Sequence, residues 1–303
     1  DLEFDPNGVV VVSIPSQGKV VALPGGQPKT VVEGLNYPHG IAFKNNKLYV
    51  AETSAVWVFD YDPQDYKATN KRKIIDLPSG GGHVTRSILI KDDKIYVSIG
   101  SSCNACVEAD SRRAAIWVAN LDGSDFKPFA TGLRNSVFMT TDPKTGEIWA
   151  TDMGRDNLGD DTPFDEVNII REGNFYGWPY CYDNQVADQQ MNKNGGRFDC
   201  SKSTPPQVTF QAHSAPLGLA FLDNDLLVAF HGSWNRSTPT GYKVIKVKLD
   251  ANGNQISQAD FITGWLKGEA ATGRPVDILV NPTGKIYISD DKLGVVYLVE
   301  KLK

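Results

Sequence analysis

The stretch GIAFKNNKLYVAET at residues 40–53 decides the fold. It reads as an apolar strand, a tight polar turn, and a second apolar strand ending in small or acidic residues. The same phrase returns as SILIKDDKIYVSIGS at 87–101, VFMTTDPKTGEIWATDM at 137–153, GLAFLDNDLLVAFHGS at 218–233 and DILVNPTGKIYISDD at 277–291. The opening LEFDPNGVVVVSIPS at 2–16 is a sixth copy. A third strand follows each one: KVVAL, AVWVFDY, AAIWVAN, DEVNII, YKVIKVK and GVVYLVE. Usually there is a fourth: TVVEGL, KIIDL, KPFATGL, QVTFQ and FITGW. Strands with turn chemistry and no sustained helical period mean an all-β chain. Six four-stranded repeats predict a six-bladed β-propeller, taken as one domain over residues 1–303. The sixth unit stops after its third strand. That blade is expected to lack its outer strand and to show an exposed edge unless residues upstream of Asp1 close it.

Composition sets the bounds. Hydrophobic residues make up 41% and charged residues 22%, with a net charge of −5. No cluster of Lys and Arg marks a nucleic-acid footprint. No apolar run reaches membrane-spanning length. An initial Asp in place of Met fits removal of a signal peptide, and fits any other N-terminal trimming equally.

Four cysteines are present: Cys103, Cys106, Cys181 and Cys200. Cys103-Asn-Ala-Cys106 has the spacing of a zinc or redox motif. Zinc would need a second pair at similar spacing, and Cys181 and Cys200 lie too far apart for that. A redox CxxC normally opens a helix of an α/β unit, and none is predicted. Two local disulfides, Cys103–Cys106 and Cys181–Cys200, are the simpler expectation. They place the chain in an oxidising compartment, secreted or periplasmic.

In a propeller, loops before the first strand and after the second strand of each blade share one face. The chemically able residues fall there. The first set holds His39, His83 with Arg86, Arg134-Asn135, His213 and Arg274. The second holds Glu52, Ser101 to Cys106, Asp152 to Asp161, His231 to Arg236 and Asp290-Asp291. Loops on a rigid scaffold are where sites sit. His39 reads mainly as a blade-entrance cap. His83, beside Gly80-Gly81-Gly82, has room for a flat ligand. Arg134 next to Asn135 is a good binder of anions and carbonyls. Trp234 reads equally as core or as a sugar-stacking platform. The acidic, Gly-containing run Asp152 to Asp161 reads as a calcium loop, though not an EF-hand.

Taken together, GGHVTRSI, GSSCNAC, GLRNSVF, TDMGRDNLGDD, NFYGWPYCY, HSAPLGLAF, FHGSWNRSTPTGYKV and GRPVDI resemble the PQQ-dependent sugar dehydrogenase family. The similarity is greatest to its sorbosone-dehydrogenase-like branch, related to the quinone domain of fungal pyranose dehydrogenases and to soluble glucose dehydrogenase. The resemblance implies a quinoprotein that oxidises a sugar hydroxyl by hydride transfer to pyrroloquinoline quinone. It implies a calcium ion on the backbone carbonyls of Gly154 and Arg155. His83 would be the general base and Arg134 a second catalytic group. Arg86, Arg134, Asn135, His231, Trp234, Arg236 and Arg274 would contact the cofactor. Electrons would pass to an external acceptor such as a cytochrome or a diffusible quinone. A second calcium near Asp165, Glu166, Tyr176 and Asp183 follows by analogy.

The chain departs from the pattern in places. Soluble glucose dehydrogenases of this kind carry Pro where Arg155 stands. They have a Lys in the loop that here runs from His231 to Arg236, and a second arginine where Val276 lies. Glucose specificity is therefore not carried over. Two rival readings stay open. A calcium-dependent lactonase-type propeller could use Glu52, Asn135, Asp152 and Asp290 around a channel metal. A non-catalytic binding propeller needs none of this chemistry.

Overall fold

The structure is a computed structural model that describes residues 1–300. Its fold class is the one the repeats predict, an all-β six-bladed β-propeller built from consecutive antiparallel sheets. The chain divides into two compact units; among the described residues the first holds three four-stranded sheets, and the second holds three larger sheets and two short hairpins.

The first unit comprises Asp1–Cys103 and Glu108–Phe129. Its sheets are β1 (Leu2–Phe4), β2 (Val10–Ile14), β3 (Lys19–Ala22) and β4 (Lys29–Glu33); β5 (Ile41–Lys44), β6 (Lys47–Glu52), β7 (Ala55–Asp62) and β8 (Lys67–Asp76); and β9 (Arg86–Lys91), β10 (Lys94–Ile99), β11 (Ala115–Asn120) and β12 (Lys127–Thr131). The predicted turns are made by consecutive residues with positive φ, Asn45-Asn46 and Asp92-Asp93. Asn and Asp tolerate that region, and two such residues in a row match the twist of the strands they join. The middle sheet explains why its strands look apolar throughout. In β6, Leu48 and Val50 pack into one cluster with Val11 and Val20, while Tyr49 and Ala51 pack into another with Ile95 and Val97. Alternate side chains point to opposite faces, and both faces are covered by a sheet.

The second unit comprises Asn104–Val107 and the chain from Ala130 onward. Its first sheet holds β13 (Met139–Thr141), β14 (Ile148–Asp152) and β15 (Asp165–Ile170). The chain then makes a hairpin of β16 (Cys181–Tyr182) and β17 (Val186–Ala187) before β18 (Val208–Phe210) completes that sheet. Next come β19 (Pro216–Leu222), β20 (Asp225–Phe230), β21 (Lys243–Leu249) and β22 (Gln255–Ile262). A short hairpin, β23 (Leu266–Lys267) and β24 (Ala270–Ala271), leads to β25 (Pro275–Val280), β26 (Ile286–Asp290) and β27 (Val295–Val299). Strand β20 repeats the logic of β6, sending Leu226 and Val228 to one cluster and Leu227 and Ala229 to the other. Among the described residues the last sheet has three strands. Val295 and Leu298 are exposed on its edge strand β27.

Two outer strands differ from the expected extents. KIIDL is only the end of β8, which begins at Lys67, and FITGW overlaps only the end of β22, which begins at Gln255. Both added segments are polar and exposed. They belong to the sheets through backbone pairing with β7 and β21, which leaves no apolar signature.

Candidate active site

In the first unit, His83 sits on a loop held by two buried arginines. Arg86 is fully enclosed and donates to the carbonyls of Pro78 at 2.7 Å, Thr85 at 2.7 Å and His83 at 3.0 Å. Arg113 donates to Ser79 at 2.8 Å and Gly80 at 2.6 Å. Gly81 has φ of 87°, and a Cβ there would lie 2.8 Å from the Ser102 backbone, so only glycine lets this loop close. The Arg86 guanidinium is inside the protein and serves the loop's carbonyls. Burial lowers its pKa only to about 10, so it stays charged at neutral pH.

The His83 ring is fixed by Ser101. Its Nδ1 lies 3.0 Å from the Ser101 carbonyl and 2.9 Å from Ser101 Oγ. The serine hydroxyl proton goes to the Cys103 carbonyl at 2.7 Å. Both Ser101 oxygens therefore act as acceptors towards the ring. The proton is assigned to Nδ1, and in the neutral ring the basic lone pair is on Nε2. His39 is different: it is buried, Nδ1 lies 3.1 Å from Ser87 Oγ, and desolvation holds its pKa well below the usual histidine value.

In the second unit, the loop after β14 is the centre of the polar structure. Buried Asp152 ends the strand and accepts the backbone N–H of Arg134 at 2.9 Å, Asn135 at 2.7 Å and Met153 at 3.1 Å. Burial still raises its pKa to about 7. Asp165 accepts from Gly154 N at 2.9 Å and Ala215 N at 2.8 Å, and burial raises it to about 6. A Cβ on Gly154 would meet Phe164 O and Pro163 Cγ at 2.8 Å, so that position also admits only glycine.

Arg134 is nearly enclosed. It donates through Nη1 to Gly154 O at 3.0 Å, through Nε to Asn104 O at 2.9 Å, and through Nη2 to Asn104 Oδ1 and Asp156 Oδ2, each at 2.9 Å. The other Asp156 oxygen accepts from Asn235 Nδ2 at 2.7 Å. Asn135 is buried beside Met153, its amide 3.6 Å from the sulfur. Arg155 turns away from this group, pairing with Asp188 and Gln190 at 2.7 Å each. Its own carbonyl accepts no hydrogen bond from the described residues, and Gly154 O takes only the Arg134 guanidinium. This is a pair of backbone oxygens suited to a hard cation.

Two other expected residues brace the same loop, and two more are engaged elsewhere. Arg236 donates to the carbonyl of Asp160 and to Asp161 Oδ1, and His213 Nε2 lies 2.8 Å from Gly159 O. Arg274 donates to the carbonyls of His231 at 3.2 Å and Gly232 at 2.9 Å. His231 Nε2 lies 3.0 Å from both oxygens of Asp291. Trp234 is 76% exposed, which removes the core reading. Near Asp165, Glu166 has its pKa raised by burial and by the charges of Asp152 and Asp183. The buried Oδ1 of its neighbour Asn168 has no partner. The Tyr176 hydroxyl is taken up by Ile169 O and Arg171 N.

The carboxylates a lactonase would need are used locally. Asp152 caps its own loop, Asp290 accepts from the N–H groups of Arg274, Lys292 and Leu293, and Glu52 pairs with Lys71. No cysteine is free: Cys181 bonds Cys200, and Cys103 and Cys106 are both disulfide-bonded, which leaves them to each other. Zinc and thiol chemistry are thereby removed from the CxxC. Ser101, Asn104 and Asn235 lay within the loops singled out in the sequence but were given no role there, and Asp188 was missed. Of these only Asn104, enclosed between two cysteines, carried a local signal.

Fold and site together define a six-bladed propeller of the TrAA12-like family, whose model matches residues 5–302; the chain belongs to that family. It is 32% identical over 299 residues to an uncharacterised protein of Borreliella burgdorferi, covering 89% of this chain and 77% of that one. It is 27% identical to the pyrroloquinoline quinone-dependent pyranose dehydrogenase of Coprinopsis cinerea, covering 90% of this chain but 47% of that protein. The holo pyranose dehydrogenase PQQ domain from Coprinopsis cinerea superposes with a TM-score of 0.88 at 24% identity, covering 99% of this chain and 92% of that domain. A calcium structure of the Trichoderma reesei AA12 enzyme superposes with a TM-score of 0.85 at 23% identity, covering 98% and 91%.

Proposed function

We propose that this chain is an oxidoreductase that oxidises a sugar hydroxyl using pyrroloquinoline quinone held with calcium. The names of the Coprinopsis relative and of the Hypocrea jecorina sugar dehydrogenase, 24% identical over 99% of this chain, support the reaction class. The observation that carries the reading is the pair of backbone oxygens at Gly154 and Arg155, one with no donor and the other with only a guanidinium. The braced loop around them is acidic, and its donors are hard oxygens.

When bound, the quinone supplies the hydride acceptor, and calcium polarises its carbonyl. Gly154 and Arg155 would hold the metal. Arg134 and Asn135 would hold the quinone oxygens, with Arg134 balancing the charge that develops on reduction. His83 Nε2 would take the proton of the sugar hydroxyl, its ring kept in one tautomer by Ser101. Exposed Trp234 offers a flat apolar face to a sugar ring. Glu166, Asp183 and the unpartnered Asn168 Oδ1 are the donors for the second calcium. The disulfides suit a secreted or periplasmic protein. Among the described residues no helix is long and apolar enough to cross a membrane. An external electron acceptor completes the cycle.

The test is titration of the purified protein with quinone, with calcium or with chelator, followed by sugar-dependent dye reduction. A calcium-dependent absorbance band and dye reduction support the reading. Metal binding with no quinone band would turn it towards a lactonase, and neither signal towards a binding module.

A further inference from the structure

The disulfide-closed excursion from Cys181 to Cys200 is a small lobe with its own internal bracing. Buried Asp188 accepts the backbone N–H of Gln190 at 2.8 Å and Met191 at 3.0 Å, and Asn192 Oδ1 accepts those of Arg197 and Phe198. The loop after β14 meets this lobe at two points: near its end Phe164 N–H donates to Asp183 Oδ1 at 2.7 Å, and near its start the Arg155 side chain reaches across. Arg155, 7% exposed, places Nη1 on Asp188 and Nη2 on Gln190, both at 2.7 Å. Nothing else fixes residue 155 by hydrogen bonds: its backbone N–H donates none and its carbonyl accepts none among the described residues. Residue 155 itself is therefore held by a buried ion pair on its side chain, between peptide groups anchored at Gly154 O by Arg134 and at Asp156 N by Asn104. Ion pairs of this kind are poor sources of net stability but good at imposing one geometry.

We infer that Arg155 is a positioning residue, and that the Cys181–Cys200 lobe, acting through Asp188, sets where the residue 154–155 carbonyls stand. The inference rests on the proposed calcium role of those carbonyls. It has a direct counterpart in backbone chemistry. A proline at 155 would restrict φ by its ring, would lose no backbone hydrogen bond, and meets no left-handed conformation at that residue.

The test compares two double variants in the full chain. Arg155→Met with Asp188→Asn removes both charges together, so no buried charge is left alone, and Asn keeps an oxygen for the lobe's N–H groups. Arg155→Pro with Asp188→Asn removes the same ion pair but restrains the backbone. Calcium-dependent quinone titration should show at least a tenfold loss for the Met variant and recovery of most of it for the Pro variant. Amide exchange across residues 153–158, measured without ligands, should speed up in the Met variant and slow again in the Pro variant. Equal affinities and equal exchange in the Met variant and wild type would overturn the inference. So would equal losses in both variants, because the ion pair would then serve only the lobe. Failure of the wild type to bind quinone with calcium would count against the proposed function, and the exchange comparison would still decide the positioning role.

Discussion

Arg134 Nη1 donates to the carbonyl oxygen of Gly154 at 3.0 Å, so a guanidinium already stands on one of the two oxygens proposed to hold a metal. Two cations on one carbonyl repel, and Asp156 offsets the arginine only in part. Arg134→Met should therefore raise the affinity of the cofactor-free protein for calcium alone, by about tenfold, or ~1.4 kcal/mol. The same change should weaken quinone binding, since the anion loses its donor. Calorimetric titration of calcium, then of quinone, checks both signs; weaker calcium binding in the variant would contradict the arrangement.

Chelation should release quinone and leave the blades intact. Neutral carbonyls bind the ion weakly by themselves, so metal and anionic cofactor should load as a coupled pair. The packed sheets owe their core to apolar clusters on both faces of β6 and β20. Circular dichroism should stay unchanged while the cofactor absorbance is lost; equally tight quinone binding in chelator would refute the bridge.

His83→Ala should lower the rate of sugar-dependent dye reduction by about 10²- to 10⁴-fold while quinone still binds. Activity within a few-fold of wild type would move the base elsewhere. His231, oriented by Asp291, would be next, ahead of His213, whose ring is occupied by Gly159 O.

His39 predicts an acid limit to stability. Burial disfavours its charged form, so its folded pKa lies below the unfolded value of about 6.5. Between those values the unfolded chain binds more protons. Stability is thus retained above about pH 6.5 and falls as pH drops below it, by at most about 1.4 kcal/mol per pH unit from this group. Denaturant melts of wild type and His39→Gln between pH 7 and 5 should diverge by that slope, and parallel curves would exclude His39 as the cause.

Trp234→Ala should raise the KM for sugar several-fold while shifting stability by about 0.5 kcal/mol or less, because the ring is 76% exposed. An unchanged KM with a lowered melting temperature would return the residue to a structural role.

The architecture was legible because β turns and apolar strands carry local chemistry. Asn45-Asn46 and Asp92-Asp93 announce their turns, and Leu48 to Ala51 announce a strand covered on both sides. The polar starts of β8 and β22 carried no such sign. The disulfides followed from locality and an even count. The site was legible as a set of loops, but not as contacts. Arg86 stands near His83 in the sequence, but that it is buried and holds loop carbonyls has no local sign. Asp188 lies 33 residues from Arg155, and Asn235 lies 79 from Asp156, so neither tie has a local pattern.

Asn104 lies between Cys103 and Cys106, inside the smallest disulfide ring of the chain. Its carbonyl receives Arg134 Nε and Trp178 Nε1, its side-chain oxygen receives Arg134 Nη2 and Asp156 N, and its amide reaches back to Asp156 O. Production in a reducing cytoplasm would leave both disulfides open, costing stability and loosening the ring that holds Asn104 against Arg134 and Asp156. For anyone building an electrode or a sugar sensor from this chain, the thiol content of the storage buffer would matter as much as its calcium.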